Sequence, residues 1–119
     1  MISTPPATSP PPTAIELAAN DGGFSLAYCL SETPAPLNDP FDAEVWITRG
    51  TTDDLVLEID ARMPHHKHGM NVRPTITKRD DGSYLVEGLL LHMPGYWEMY
   101  FDVTRGGLTE RAQTSMELD

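Results

Sequence analysis

The sequence predicts an all-β fold, an antiparallel sandwich of about seven short strands. Three observations carry that expectation. Apolar and polar residues alternate over short runs, the period of a strand with one buried face. Clusters of Gly, Asp and Pro separate the runs at roughly the 8–12-residue spacing of a sandwich. Nothing caps a helix longer than the single turn expected over residues 14–20.

The 119 residues suffice for one domain. Five of the 11 prolines fall within the first 12 residues. Such a run cannot pack a core, so residues 1–15 read as a Pro-rich tether and residues 16–119 as the domain. The first strand is Phe24 to Leu30, after the turn Asp21-Gly22-Gly23. Pro34, Pro36 and Pro40 exclude a helix or a central strand from residues 31–43. Glu44 to Thr48 is the second strand, ended by Arg49-Gly50. The third runs from Leu55 to Ala61, with Leu55, Leu57, Ile59 and Ala61 on one face and Glu58 and Asp60 on the other.

Thr75–Lys78 and Tyr84–Leu91 form a hairpin around Asp80-Asp81-Gly82, because Asp-Gly between apolar runs favours a tight turn. The sixth strand, Tyr96 to Val103, sets Trp97, Met99, Phe101 and Val103 on one face. That phase assigns Met99 to the core. Trp97 and Trp46 are expected there as well. Arg105-Gly106-Gly107 turns the chain into the last strand, Leu108 to Leu118. Seven strands so spaced indicate a sandwich of immunoglobulin-like type.

Composition narrows the function. Lys plus Arg total 8 against 18 Asp plus Glu, a net charge of -10. That balance argues against nucleic-acid binding and against docking on an anionic membrane surface. A lone cysteine, Cys29, excludes an internal disulfide and a multi-cysteine zinc site; it reads as a small hydrophobe. There is no Gly-rich phosphate loop, nucleophile elbow or His-Glu-x-x-His motif, so the chain does not read as an enzyme.

The chemistry concentrates in Met63-Pro64-His65-His66-Lys67-His68-Gly69-Met70, which holds three of the four His and two of the six Met. The fourth His follows in His92-Met93-Pro94-Gly95. Imidazole and thioether are neutral ligands that suit copper, Cu(I) above all. Carboxylates, which suit Ca²⁺ or Mg²⁺, are absent between Asp60 and Asp80. In an extended chain His66, His68 and Met70 share one face, and Met63 and His65 the other. A strand break at Pro94 lets both His92 and Met93 contribute. The 75–91 hairpin can return the chain so that His92 lies beside His66 and His68. The bland alternative is a polar strand end with Met63 and Met70 as core filler. Arg62, Lys67, Arg73, Lys78 and Arg79 also make residues 62–79 locally cationic, either a docking patch for an acidic partner or a solvated face.

These motifs resemble the YtkA-like and FixH-like domains. The resemblance spans Asp60 to Val103 and is carried by Met63-Pro64-x-His66-x-His68-Gly69-Met70, Asp81-Gly82-x-Tyr84-x-Val86-Glu87-Gly88 and His92-Met93-Pro94-Gly95-x-Trp97-Glu98. It implies a small immunoglobulin-like sandwich, exported or membrane-tethered, that handles copper or serves cytochrome oxidase maturation. Met63, His66, His68, Met70, His92 and Met93 are the positions matching the family's motifs. The implied partners are a copper ion and a membrane-bound copper protein or oxidase assembly factor. The first residues lack a basic n-region and an apolar h-region, so no signal peptide is read there. The Pro-rich stretch, read as a spacer from a membrane anchor rather than a plain disordered tail, and the resemblance together imply a periplasmic or extracytoplasmic location, membrane-anchored in the full-length form. The expectation is a Cu(I) carrier or chaperone. The alternatives are a metal-free accessory sandwich on a membrane complex and, further off, a small copper oxidoreductase.

Overall fold

The computed structural model describes residues 10–50 and 54–119. Nine strands form two antiparallel sheets, with no helix among the described residues. They are β1 (Ile15–Ala18), β2 (Ser25–Leu30), β3 (Phe41–Arg49), β4 (Val56–Met63), β5 (His68–Gly69), β6 (Thr75–Lys78), β7 (Tyr84–Leu89), β8 (Gly95–Arg105) and β9 (Leu108–Leu118). One sheet runs β1-β2-β3-β7-β6 and the other β5-β4-β8-β9. Without β1, this is the ABED order of an immunoglobulin-like sandwich facing C′CFG.

All seven expected strands are present. The structure adds β1 and β5, two short edge strands. Residues 14–20 make no helical turn: Ile15–Ala18 pairs with β2, Ile15 opposite Tyr28, which satisfies its backbone in a ladder. Strand structure therefore begins at the last residue expected in the tether; residues 1–9 of that stretch lie outside the described residues. β3 starts at Phe41, directly after Pro40, because the proline need only precede the ladder to be harmless.

The turns follow their sequence signals. Gly106 and Gly107 have φ of 55° and 81° and link Arg105 to Leu108, its cross-strand partner. Positive φ at both central residues is the two-residue hairpin geometry that favours Gly-Gly. At the β6–β7 turn, buried Ser83 donates its hydroxyl to Asp81 Oδ1 (2.6 Å) and accepts from Arg79 Nε (2.9 Å).

The core lies between the sheets. Leu57, Ile59, Ala61 and Met63 of β4 face Leu26 and Tyr28 of β2, Val45 of β3 and Val86 of β7. Tyr28 and Phe101 meet across the layers, ring centroids 5.0 Å apart. Trp97 and Met99 are fully buried there, as their phase requires. Trp46 departs from expectation. It is buried, but it alternates with core-facing Val45 and lies on the opposite face, opposite Ala27. Its indole Nε1 has no hydrogen-bond partner.

Candidate metal centre at one end of the sandwich

β4 and β8 are neighbours, Arg62 opposite Glu98. The C-terminal end of β4 therefore meets the start of β8. This juxtaposition brings Met63 and His65 against Gly95 and Tyr96. Two contacts fix it. A Cβ added at Gly95, whose φ is +127°, would stand 2.9 Å from Met63 Cε. The His65 ring stacks on Tyr96, centroids 5.2 Å apart.

The local geometry of the first segment differs from an extended strand. Residues 64–67 form a four-residue hairpin loop between β4 and β5, with Met63 opposite His68. The His66 N–H donates to the Met63 carbonyl (3.1 Å), and Lys67 adopts φ of 55°. Loops of this length are commonly built around a tight turn. The expected sharing of one strand face by His66 and His68 is thereby corrected. His66 sits exposed in the loop, whereas His68 sits in β5. The reason is the turn itself, which interrupts the two-residue periodicity on which the expectation rested.

Cross-strand partners project to the same face of a sheet. His68 therefore stands on the core side of its sheet, beside fully buried Met63, but at the open edge where it stays exposed. Two residues on, Met70 is half-buried against the core, and its N–H donates to the Ala61 carbonyl (3.2 Å). His65 lies on the other side. Tyr96 alternates with inward Trp97, so the ring stacked on it belongs to the outer face.

The second segment leaves β7 at Leu89 and enters β8 at Gly95, so residues 90–94 are free of strand periodicity. His92 and Met93 are accordingly both half-buried. Trp97 anchors them. Its Nε1 donates to the Met93 carbonyl (2.9 Å), and its ring meets His92 edge-on at 5.7 Å. His92 Nδ1 is buried without a hydrogen-bond partner. A lone imidazole nitrogen in such a place is costly unless something else takes it up.

One thioether escaped the sequence reading. Met116 is opposite Trp97 in the β8–β9 ladder and packs on the same end of the core. The alternation Ala112, Thr114, Met116, Leu118 was the available signal, diluted by a polar residue in phase. Among the described residues, no group of three or more His, Cys, Asp or Glu is placed to hold a metal ion. A metal ion at this end would need donors outside that set, and thioether sulfur is the one the nearby sequence offers. A donor set of imidazole and thioether fits Cu(I) and is foreign to zinc and to hard cations.

The cationic run is partly neutralised. Arg79 pairs with Glu44 at 2.7 Å, and Arg62 stands opposite Glu98 in the ladder. Cys29 is half-buried on the outer face of its sheet, where it lines a shallow groove with Asp42 and Glu44.

No family model and no curated protein matches the chain. Among solved structures, it is similar to a DUF4426 family protein from Pseudomonas aeruginosa, with a TM-score of 0.56 and 8% identity. The match covers 86% of this chain and 94% of that one. At such low identity the likeness supports the fold alone, an all-β domain of two packed antiparallel sheets.

Proposed function

We propose that this domain is an extracytoplasmic Cu(I) carrier, with its site at the end of the sandwich where residues 63–70 meet residues 92–95. His68 and His92 are the imidazole ligands, and Met63, Met70 or Met93 supplies the thioether. His66, on the loop above, is the exposed group that first meets the ion or a partner. The single observation that carries this reading is His92 Nδ1, buried and unpartnered beside Trp97, at the end of the sandwich where Met63 meets Gly95.

The arrangement suits a carrier. Met63 gives a buried, apolar floor, and His68 stands at the solvent edge, where an incoming ligand can displace it first. The resemblance to the YtkA-like and FixH-like domains supports the same reading. A membrane-bound copper protein or oxidase assembly factor is then the recipient. Native mass spectrometry after exposure to Cu(I), Cu(II) and Zn²⁺ tests it. A single Cu(I) adduct is expected; equal or preferential Zn²⁺ loading would reject the His/Met assignment.

A further inference from the structure

A second feature of the same sheet is an open strand edge. Only the last residues of β4, Arg62 and Met63, pair with β5. The Ala61 carbonyl points to that side, where it accepts from Met70 N–H, and its own N–H is taken by Asp60 Oδ1 (2.8 Å). In an antiparallel ladder alternate residues direct both backbone groups to the same side. The N–H and C=O of Ile59 and Leu57 thus face away from β8, and no described strand pairs with them there.

That edge borders a groove of about 480 Å³, walled on the far side by Met70, Val72 and Pro74. Ile59 lines it although its side chain is in the core, so its backbone edge is what the groove receives. Glu58, Asp60 and Asp102 contribute three carboxylates to the lining, against one guanidinium, Arg73.

We infer that the β4 edge receives an extended segment of a partner protein as an added strand, with basic side chains at alternate positions on the Glu58/Asp60 face and apolar ones turned toward Met70 and Val72. Main-chain hydrogen bonds give such docking its affinity, and alternate side chains give it selectivity. Charge decides the occupant. Two copies paired edge to edge would set Glu58 and Asp60 against themselves, and like charges directly opposite destabilise a strand pair. The chain's own first 14 residues contain no Lys or Arg, and five of them are prolines, which lack the N–H that a strand must donate.

Three capped octapeptides test this in an NMR titration of the full chain: alternating Lys and Val, alternating Glu and Val, and the Lys/Val peptide N-methylated at every second residue. The Lys/Val peptide should bind and slow amide exchange at Leu57 and Ile59 about tenfold or more. The other two, and Lys/Val on a Glu58→Lys variant, should bind about tenfold more weakly or worse, the loss expected for two or three backbone hydrogen bonds or a reversed charge. No Lys/Val binding, binding unaffected by N-methylation, or binding that leaves Leu57 and Ile59 exchange unchanged would overturn the inference. So would a self-association in sedimentation that protects the same two amides.

Discussion

Replacing Gly95 with alanine perturbs the contact that joins the two halves of the proposed site. The backbone there has φ of +127°, a region that side-chain-bearing residues rarely adopt. Holding alanine in it costs about 1–3 kcal/mol. The new Cβ would also stand 2.9 Å from Met63 Cε, so the thioether has to move within a packed core. Pushing a side chain off its rotamer costs roughly 0.5–1.5 kcal/mol. Together these give about 2–4 kcal/mol of destabilisation, a fall in Tm on the order of 10–20 °C for a domain of this size. Urea and thermal unfolding measure it. A double-mutant cycle with Met63→Leu separates the two parts. That swap conserves volume and costs under about 1.5 kcal/mol by itself, yet removes the terminal methyl. In its background Gly95→Ala should lose the contact part, about 0.5–1.5 kcal/mol. A Gly95→Ala cost below about 0.5 kcal/mol, or no coupling between the two changes, would show that Gly95 and Met63 do not meet as described.

Three further outcomes follow from other parts of the fold. Glu110 is buried beside Asp21, whose hydrogen bond and negative charge, together with burial, push its carboxyl above the ordinary carboxylate range; Gly23 N–H and Arg105 oppose the shift. An acid raised in the folded state adds stability that is full below its unfolded value and disappears as pH rises through its folded value. Wild type should therefore gain Tm relative to Glu110→Gln as pH falls from 7 to 5, and a difference independent of pH would count against the pairing. Gly23→Ala would place a methyl where the Glu110 carboxylate lies and make that carboxylate swing away, so this variant should lose most of the pH-dependent gain over Glu110→Gln in the same melts, whereas a variant that keeps the gain would mean that Glu110 does not sit against the β1–β2 turn. Ser83→Ala removes the buried hydroxyl that joins Arg79 and Asp81, and should cost about 1–3 kcal/mol in denaturant unfolding.

The long strands were legible in the sequence because their burial pattern is simple. Leu57, Ile59 and Ala61 alternate against Glu58 and Asp60, and the structure buries the first set and exposes the second. β1 and β5 were not legible. β6 is as short as β1 but is announced by the Asp80-Asp81-Gly82 turn beside it, whereas Ile15–Ala18 and His68–Gly69 carry too little periodicity to register by themselves and are strands through pairing with β2 and β4. Trp46 was placed in the core on bulk alone, yet its parity with Val45 puts it on the far face. The two His/Met segments were legible as composition; the contacts between them, Met63 with Gly95 and His65 with Tyr96, come from the β4–β8 pairing and not from the 75–91 hairpin, which belongs to the other sheet. What the sequence concealed was the loop conformation of residues 64–67. A turn closed by a backbone hydrogen bond from His66 leaves no strand face for His66 and His68 to share. The packing of Met116 at this end of the core emerges only from its register against Trp97.

A Cu(I) titration against a competing chelator, run on wild type, His68→Ala and His92→Ala, bears most directly on the proposed carrier. Wild type should withdraw a single equivalent of Cu(I) from the chelator. Each variant should hold it about tenfold more weakly or worse, a loss of about 1.4 kcal/mol or more. His68→Ala should do so with stability within about 0.5 kcal/mol of wild type, since the residue is exposed. If wild type takes no Cu(I) from the chelator, or if both variants hold it as tightly as wild type, the end of the sandwich is not a copper site.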